Sequence, residues 1–249
     1  MKTLLHIPHS SYTIPSEYKK LFYLDERELL QEQIKMTDSY TDDLFDVTGI
    51  DKLIFPISRL ICDVERFRDK SEETMTKQGM WVCYTKTSYL KKLKLVDLKH
   101  EQTILEKYYD KHHSEFYRMV TKNLTTHKQC LIIDCHSFPS SPLPYELNQD
   151  KERPDICIGT DDFHTPSKIR DYVCKKFTKL GYKVALNTPF SGTIVPIEYY
   201  GNNKNVYSLM IEINRGLYMN QSTGEKSLHF QILKEHINDI ITSLTNLTL

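Results

Sequence analysis

Short apolar runs alternate along the chain with longer stretches in which apolar residues recur at helical spacing. Leu4 to Ile7 reads as a short buried strand, and Leu53 to Phe55 and Leu60 to Val64 as further strand-like segments. Cys130 to Asp134 is a continuous apolar run ending in a carboxylate, as expected of a central strand. Ile156 to Ile158, Lys183 to Leu186 and Val206 to Ile213 complete the set. Asp25 to Phe45 carries Leu29, Leu30, Gln33, Met36 and Leu44 near helical spacing. Leu98 to Leu124 places Ile104, Leu105, Tyr108, His112, Phe116, Met119 and Val120 at a period of about 3.6. Thr165-Pro166 supplies cap and first helical residue for a helix to about Leu180, which Gly181 ends, and Ser227 to Leu247 is the last helix. Strands separated by helices predict an α/β fold, a mixed and mostly parallel sheet with helices on both faces. No repeat or low-complexity linker divides the chain, so residues 1–249 are expected to form a single catalytic domain.

Composition narrows the function. Acidic and basic residues balance at 33 each, so no net charge favours a nucleic acid or an anionic membrane as partner. Only 39% of residues are hydrophobic, but aromatics reach 11%, enough to fill a core. No stretch approaches the roughly 18 apolar residues of a membrane span, and the apolar N-terminal run is too short for a signal peptide. The six cysteines form no Cys-x-x-Cys pair, which argues against a thiolate metal knuckle or redox motif. Cytoplasmic residence is the simplest expectation, and the oligomeric state stays open.

Ligands of open α/β sheets bind beyond the carboxyl ends of the strands. His9 follows the first strand in His-Ile-Pro-His-Ser, His136 follows Leu-Ile-Ile-Asp-Cys, and Glu212 lies in Met-Ile-Glu-Ile-Asn-Arg. Two histidines and a carboxylate at one edge suit a catalytic zinc, which takes three protein ligands and keeps a position for water. Each has an ordinary structural reading too; Glu212, for one, can simply pair with Arg215. His6 and His9 lie three apart, so on a strand they point to opposite faces, and only one is expected to be a ligand. Asp38 and Asp42 share one face of the expected first helix, either as a source of a ligand or as a solvated acidic face. Arg59 and Arg66 flank Asp63 and Glu65, either to capture a carboxylate or as a surface ion-pair cluster. Lys70 to Tyr89, polar and irregular, is a candidate active-site loop.

In order along the chain stand Pro8-His9-Ser10, Asp38-x-x-x-Asp42-x-Leu44-Phe45, Arg59 to Arg66 around Asp63, and Ile133-Asp134-Cys135-His136-Ser137 with Pro139-Ser140. Pro154 to Gly159, Asn187-x-Pro189-Phe190-x-Gly192 and Ile211-Glu212-Ile213-Asn214-Arg215-x-Leu217-Tyr218-Met219 follow. Each piece is weak alone. Together, and in this order, they resemble the N-formylglutamate amidohydrolase family over nearly the whole chain. The resemblance implies a hydrolase fold akin to phosphorylase/hydrolase-like proteins, zinc carboxypeptidases and aspartoacylases, with the metal at the strand ends. It implies zinc, or another divalent metal, held by His9, Asp38 and His136, with Glu212 as general base and Arg66 stabilising the oxyanion. Arg59, Asn214 and Arg215 are the candidates for gripping a small N-acyl amino acid. The implied reaction takes N-formyl-L-glutamate to formate and L-glutamate, the end of a histidine-degradation route in this family.

The chain departs from the family in reading Pro-His-Ser-Ser where many members have Pro-His-Ser-Gly. The 70–89 segment and His164 match nothing, and His164 reads equally as a site residue or a cap. Rival expectations are a zinc amidohydrolase or carboxypeptidase-like enzyme on another N-acyl or peptide substrate, and a non-catalytic small-molecule binding protein on the same fold. A thiol hydrolase built on Cys135 is a distant third, because neighbours on a strand face opposite ways.

Overall fold

The structure, a computed structural model, describes residues 1–247. The chain runs β1 (Lys2–Ile7), α1 (Ser16–Lys19), α2 (Glu26–Met36), α3 (Thr41–Leu44), β2 (Asp51–Ile54), α4 (Leu98–Ile104), α5 (Asp110–His127), β3 (Cys130–Phe138), β4 (Ile156–Gly159), α6 (Ser167–Lys179), β5 (Val184–Leu186), β6 (Val206–Asn214) and α7 (Phe230–Thr245). The strands make one sheet in the order β2-β1-β3-β6-β4-β5. β2, β1, β3 and β6 run parallel; β4 is antiparallel to β6, and β5 is parallel to β4. The expected mixed, mostly parallel sheet is therefore present.

Side-chain alternation assigns the two faces. Leu5, Ile7, Leu131, Ile133, Cys135, Leu209, Ile211 and Ile213 point to one face and join Ile169, Val173 and Phe177 of α6 and Leu233, Ile237 and Ile241 of α7 in a single core. Leu4, Cys130, Ile132 and Val206 point to the other, against Phe116 and Val120 of α5. Continued two residues at a time, that second face becomes ionisable: His6 follows Leu4, Asp134 and His136 follow Ile132, and Glu212 lies further along β6. The strands thus switch from apolar packing to chemistry at their carboxyl ends, on the side covered by α5.

Several expected elements differ. Asp25 to Phe45 is not one helix. α2 ends at Met36, and Tyr40 takes a left-handed φ of 65° before α3. Thr37, Asp38 and Ser39 are residues that compete for backbone hydrogen bonds and favour such breaks. Asp38 N donates to His9 O at 3.0 Å, tying the break to the end of β1. The shared helical face inferred for Asp38 and Asp42 therefore does not exist: Asp38 is buried and Asp42 is exposed.

Leu60 to Val64 is a buried turn rather than a strand, with Ile61 N and Cys62 N both donating to Ser58 O. α6 starts at Ser167, so its N-cap falls on Pro166, which has no side-chain acceptor, while Thr165 Oγ1 donates to Ser208 O. The long helix expected over 98–124 is continuous except for a π-helical turn at Leu105–Tyr109, just before His112. The last helix begins at Phe230, three residues later than expected.

Candidate active site

His9 lies just past β1, where the chain turns away from the sheet, and is buried. Its Nε2 is 2.9 Å from Asp63 Oδ1. Its Nδ1 is buried without a hydrogen-bond partner, 3.6 Å from both Asp38 Oδ2 and Glu65 Oε2. His136 sits on β3 opposite Glu212 of β6. Its Nδ1 is 3.0 Å from Asp38 Oδ2, and its Nε2 is 3.1 Å from Glu65 Oε2 and 3.0 Å from Asp134 Oδ1. One donor atom each from His9, Glu65 and His136 lies within 4.8 Å of the others. The structure thus brings together the two expected histidines and adds Glu65, two residues beyond Asp63.

Asp38 lies outside this three-residue set and takes the place of a support. It accepts Arg215 Nη2 at 2.7 Å and contacts His136 Nδ1, the nitrogen turned away from Glu65. Burial would push its carboxyl up, but the hydrogen bond from His136, the nearby His9 and the charge of Arg215 outweigh burial and hold it well below the usual range. Asp63 plays the same part for His9. It also accepts Arg59 Nη2 at 2.9 Å, Glu65 N at 3.0 Å and the Tyr84 hydroxyl. Against the upward push of burial, Arg59, His9 and Arg66 keep it ionised. Each histidine has one ring nitrogen held by a buried carboxylate, Asp63 for His9 and Asp38 for His136, with the other nitrogen near Glu65; His136 Nε2 also meets Asp134.

Glu212 is buried, and its Oε2 has no hydrogen-bond partner. Burial pushes its carboxyl up to about 8; Asp38 and Glu65 add to this against the opposing pull of His136 and Arg215. A carboxyl poised near neutrality, with a free oxygen, suits proton transfer.

The residues expected to grip substrate are largely committed to the protein. Arg215 donates to Ser137 Oγ, Lys35 O, Asp38 Oδ1 and Ser137 O. Asn214 accepts from Gly216 N and Ser140 Oγ and donates to Pro154 O. Arg59 is spent on Asp63 and on Met36 O at 3.4 Å. Arg66 is freer: it lies 3.5 Å from Asp63, its Nε has no hydrogen-bond partner, and 20% of its side chain stays exposed.

The 70–89 segment buries Met80, Val82 and Tyr84, and Asp63 N donates to Val82 O at 2.8 Å. It is thus a floor beneath the site. His164 has both ring nitrogens engaged, with Val206 O at 2.7 Å and Gly201 N at 2.9 Å, and serves as a loop clamp. Cys135 is buried in the core on the opposite sheet face, its thiol raised well above its usual value by burial and then by the charge of Asp134. It has neither the exposure nor the thiolate character of a nucleophile.

The sequence offers Glu65 only as part of an arginine-flanked acidic cluster, because the expected strand over Leu60 to Val64 hides the turn that brings it beside His136. A carboxylate two residues past a buried one, at the end of an apolar run, was the available signal. Asp134 was more legible, since i, i+2 on a strand puts it on the same face as His136.

The α/β fold and a family match together place the chain among enzymes that hydrolyse an amide bond. The model of the N-formylglutamate amidohydrolase family matches residues 1–219, and the chain belongs to that family. Among solved structures, an N-formylglutamate amidohydrolase from Ralstonia eutropha superposes with a TM-score of 0.85 at 18% identity, over 99% of this chain and 93% of its own. A protein from Agrobacterium tumefaciens superposes with a TM-score of 0.65 at 17% identity, over 98% and 92%. No protein of curated function matches the chain in sequence. Among the described residues no helix is long and apolar enough to cross a membrane.

Proposed function

We propose that the protein is a metal-dependent amidohydrolase that releases formate from N-formyl-L-glutamate. The observation that carries this reading is the buried, unpartnered Nδ1 of His9, which faces Glu65 while Asp63 holds the opposite nitrogen. An orphaned imidazole nitrogen beside a carboxylate and a second imidazole suits a divalent cation. Charge agrees: Asp38, Asp63, Glu65 and Asp134 outnumber Arg59, Arg66 and Arg215 even before Glu212 is counted. His9, Glu65 and His136 would hold the metal, with Glu65 in the place first expected for Asp38. Zinc suits this donor set, as do other first-row divalent ions. Such a cation supplies Lewis acidity, polarising the scissile carbonyl and lowering the pKa of water toward neutrality.

The remaining chemistry belongs to the chain. Glu212 accepts a proton from the attacking water as its oxygen bonds to the formyl carbon. It then delivers that proton to the amine nitrogen as the C–N bond breaks, so water and amide become formate and an amine. Arg66, the least committed guanidinium, faces the developing oxyanion or a substrate carboxylate. Arg215, Asn214 and Arg59 act behind it, holding Asp38, the Pro154 carbonyl ahead of β4 and Asp63. Strand ends and buried ion pairs make this array rigid, so its dipoles need not reorganise during the reaction.

Glu212→Gln tests the assignment. It removes the proton carrier and keeps the shape, so formate release should fall by about 10²–10⁴-fold while metal content stays at the wild-type level. Turnover near wild type would remove Glu212 from this role.

A further inference from the structure

A second set of donors adjoins the first. His6, Glu65 and Asp134 also offer ligand atoms within 4.8 Å of one another. His6 and Asp134 are buried register partners on β1 and β3, so their side chains share a sheet face. His6 Nδ1 is 2.9 Å from Asp134 Oδ1 and 3.6 Å from Glu65 Oε1. Its other nitrogen, Nε2, is 2.9 Å from Nε2 of His112 on α5. With the proton on His6 Nε2, that contact is a hydrogen bond to His112. His6 Nδ1 then turns a lone pair toward two carboxylates. In that tautomer the His6 nitrogen and the two carboxylates form a set of three acceptors, an arrangement that a cation stabilises.

Glu65 joins the two sets through different atoms. Oε1 faces His6 and Oε2 faces His9, and His136 Nε2 touches both, at 3.2 Å and 3.1 Å. A carboxylate presenting one oxygen to each of two neighbouring donor sets has the form of a bridge, as in two-metal hydrolytic sites whose ions lie about 3.5–4 Å apart.

We infer that the protein binds a second divalent cation through His6 and Asp134, bridged to the first by Glu65. This inference rests on the metal-binding reading of His9, Glu65 and His136. The second ion is the weaker bound, because the first already offsets much of the site's negative charge. An anionic N-acyl amino acid brings compensating charge and tightens it. His112 is the residue that positions His6. Its Nε2, 2.9 Å from His6 Nε2, is the acceptor when the proton is on His6.

The test titrates metal-stripped protein with Mn2+ and reads the bound ion by equilibrium dialysis and electron paramagnetic resonance. Wild type should saturate at about two equivalents per chain, the second weaker, with a spin-coupled signal from paired ions. His6→Ala should saturate at about one equivalent, with the signal of an isolated ion. One equivalent in wild type at saturating metal overturns the second site alone. No bound metal at all overturns the metal reading of the first site as well. Two equivalents in both proteins remove His6 from the ligand set. Should His6→Ala fail to fold, the coupled signal of wild type decides by its presence or absence.

Discussion

Asp63 is the buried carboxylate on which most of the site hangs, and Asp63→Asn isolates its contribution. Oδ1 receives His9 Nε2 and Glu65 N; Oδ2 receives Arg59 Nη2 and the Tyr84 hydroxyl. An amide keeps the shape, but its NH2 group turns donors toward donors at one pair of contacts. It also strips the buried Arg59 of its counter-charge. Breaking a buried pair by removing one partner costs about 3–5 kcal/mol. The conservative amide retains some hydrogen bonding, so the low end, about 3 kcal/mol, applies. Chemical denaturation at neutral pH, with the m-value unchanged, measures this loss. Because His9 also loses its anchor, metal affinity should fall about 10–100-fold, read by competition with a chelator. A loss under about 1 kcal/mol with unchanged metal affinity would refute the role given to Asp63. Lys107→Ala, which removes an exposed pair with Glu17, is the control and should be indistinguishable from wild type.

Other predictions follow from the same geometry. Arg66→Ala should lower kcat/KM for N-formyl-L-glutamate by about 10²-fold or more, with metal content unchanged, whereas unchanged kinetics would place Arg66 outside the reaction. A Cβ at Gly159 would lie 2.3 Å from Gly192 O, so Gly159→Ala should cost about 1–3 kcal/mol in denaturant unfolding, and a neutral result would contradict the close β4 packing. Lys94 is buried, donating to Leu60 O and Tyr84 O, and burial lowers its pKa from 10.5 to about 8. Its folded value lies below its unfolded one, so between those values the unfolded chain binds more protons and stability rises with pH. The stability of wild type relative to Lys94→Met should therefore climb by about 3 kcal/mol across that window, and a flat difference would contradict a charged burial.

Much of this architecture is written in local patterns. β1, β3 and β6 are legible because continuous apolar runs lead into His9, His136 and Glu212, and parallel strands deliver those residues to one edge. The antiparallel β4 was not legible, since a four-residue apolar run carries no direction. The break at Asp38 was hidden because Leu29, Met36 and Leu44 keep a helical period across it, while Tyr40 takes a left-handed conformation that no apolar pattern marks. The commitments of Arg215 are illegible for a different reason. They depend on contacts between residues far apart in the chain, such as Arg215 with Asp38. Spacing names the ionisable residues of a site; only packing decides which touch the reacting groups and which hold the others in place.

The central claim is chelator-sensitive hydrolysis of a formyl amide, and one assay addresses it directly. Purified protein is loaded with zinc, and formate release from N-formyl-L-glutamate is followed with and without a chelator, with metal content measured on the same sample. The account predicts bound zinc and steady formate release that the chelator abolishes and added zinc restores. Bound metal with no formate release would contradict the substrate, and release indifferent to metal removal would contradict the role given to His9, Glu65 and His136.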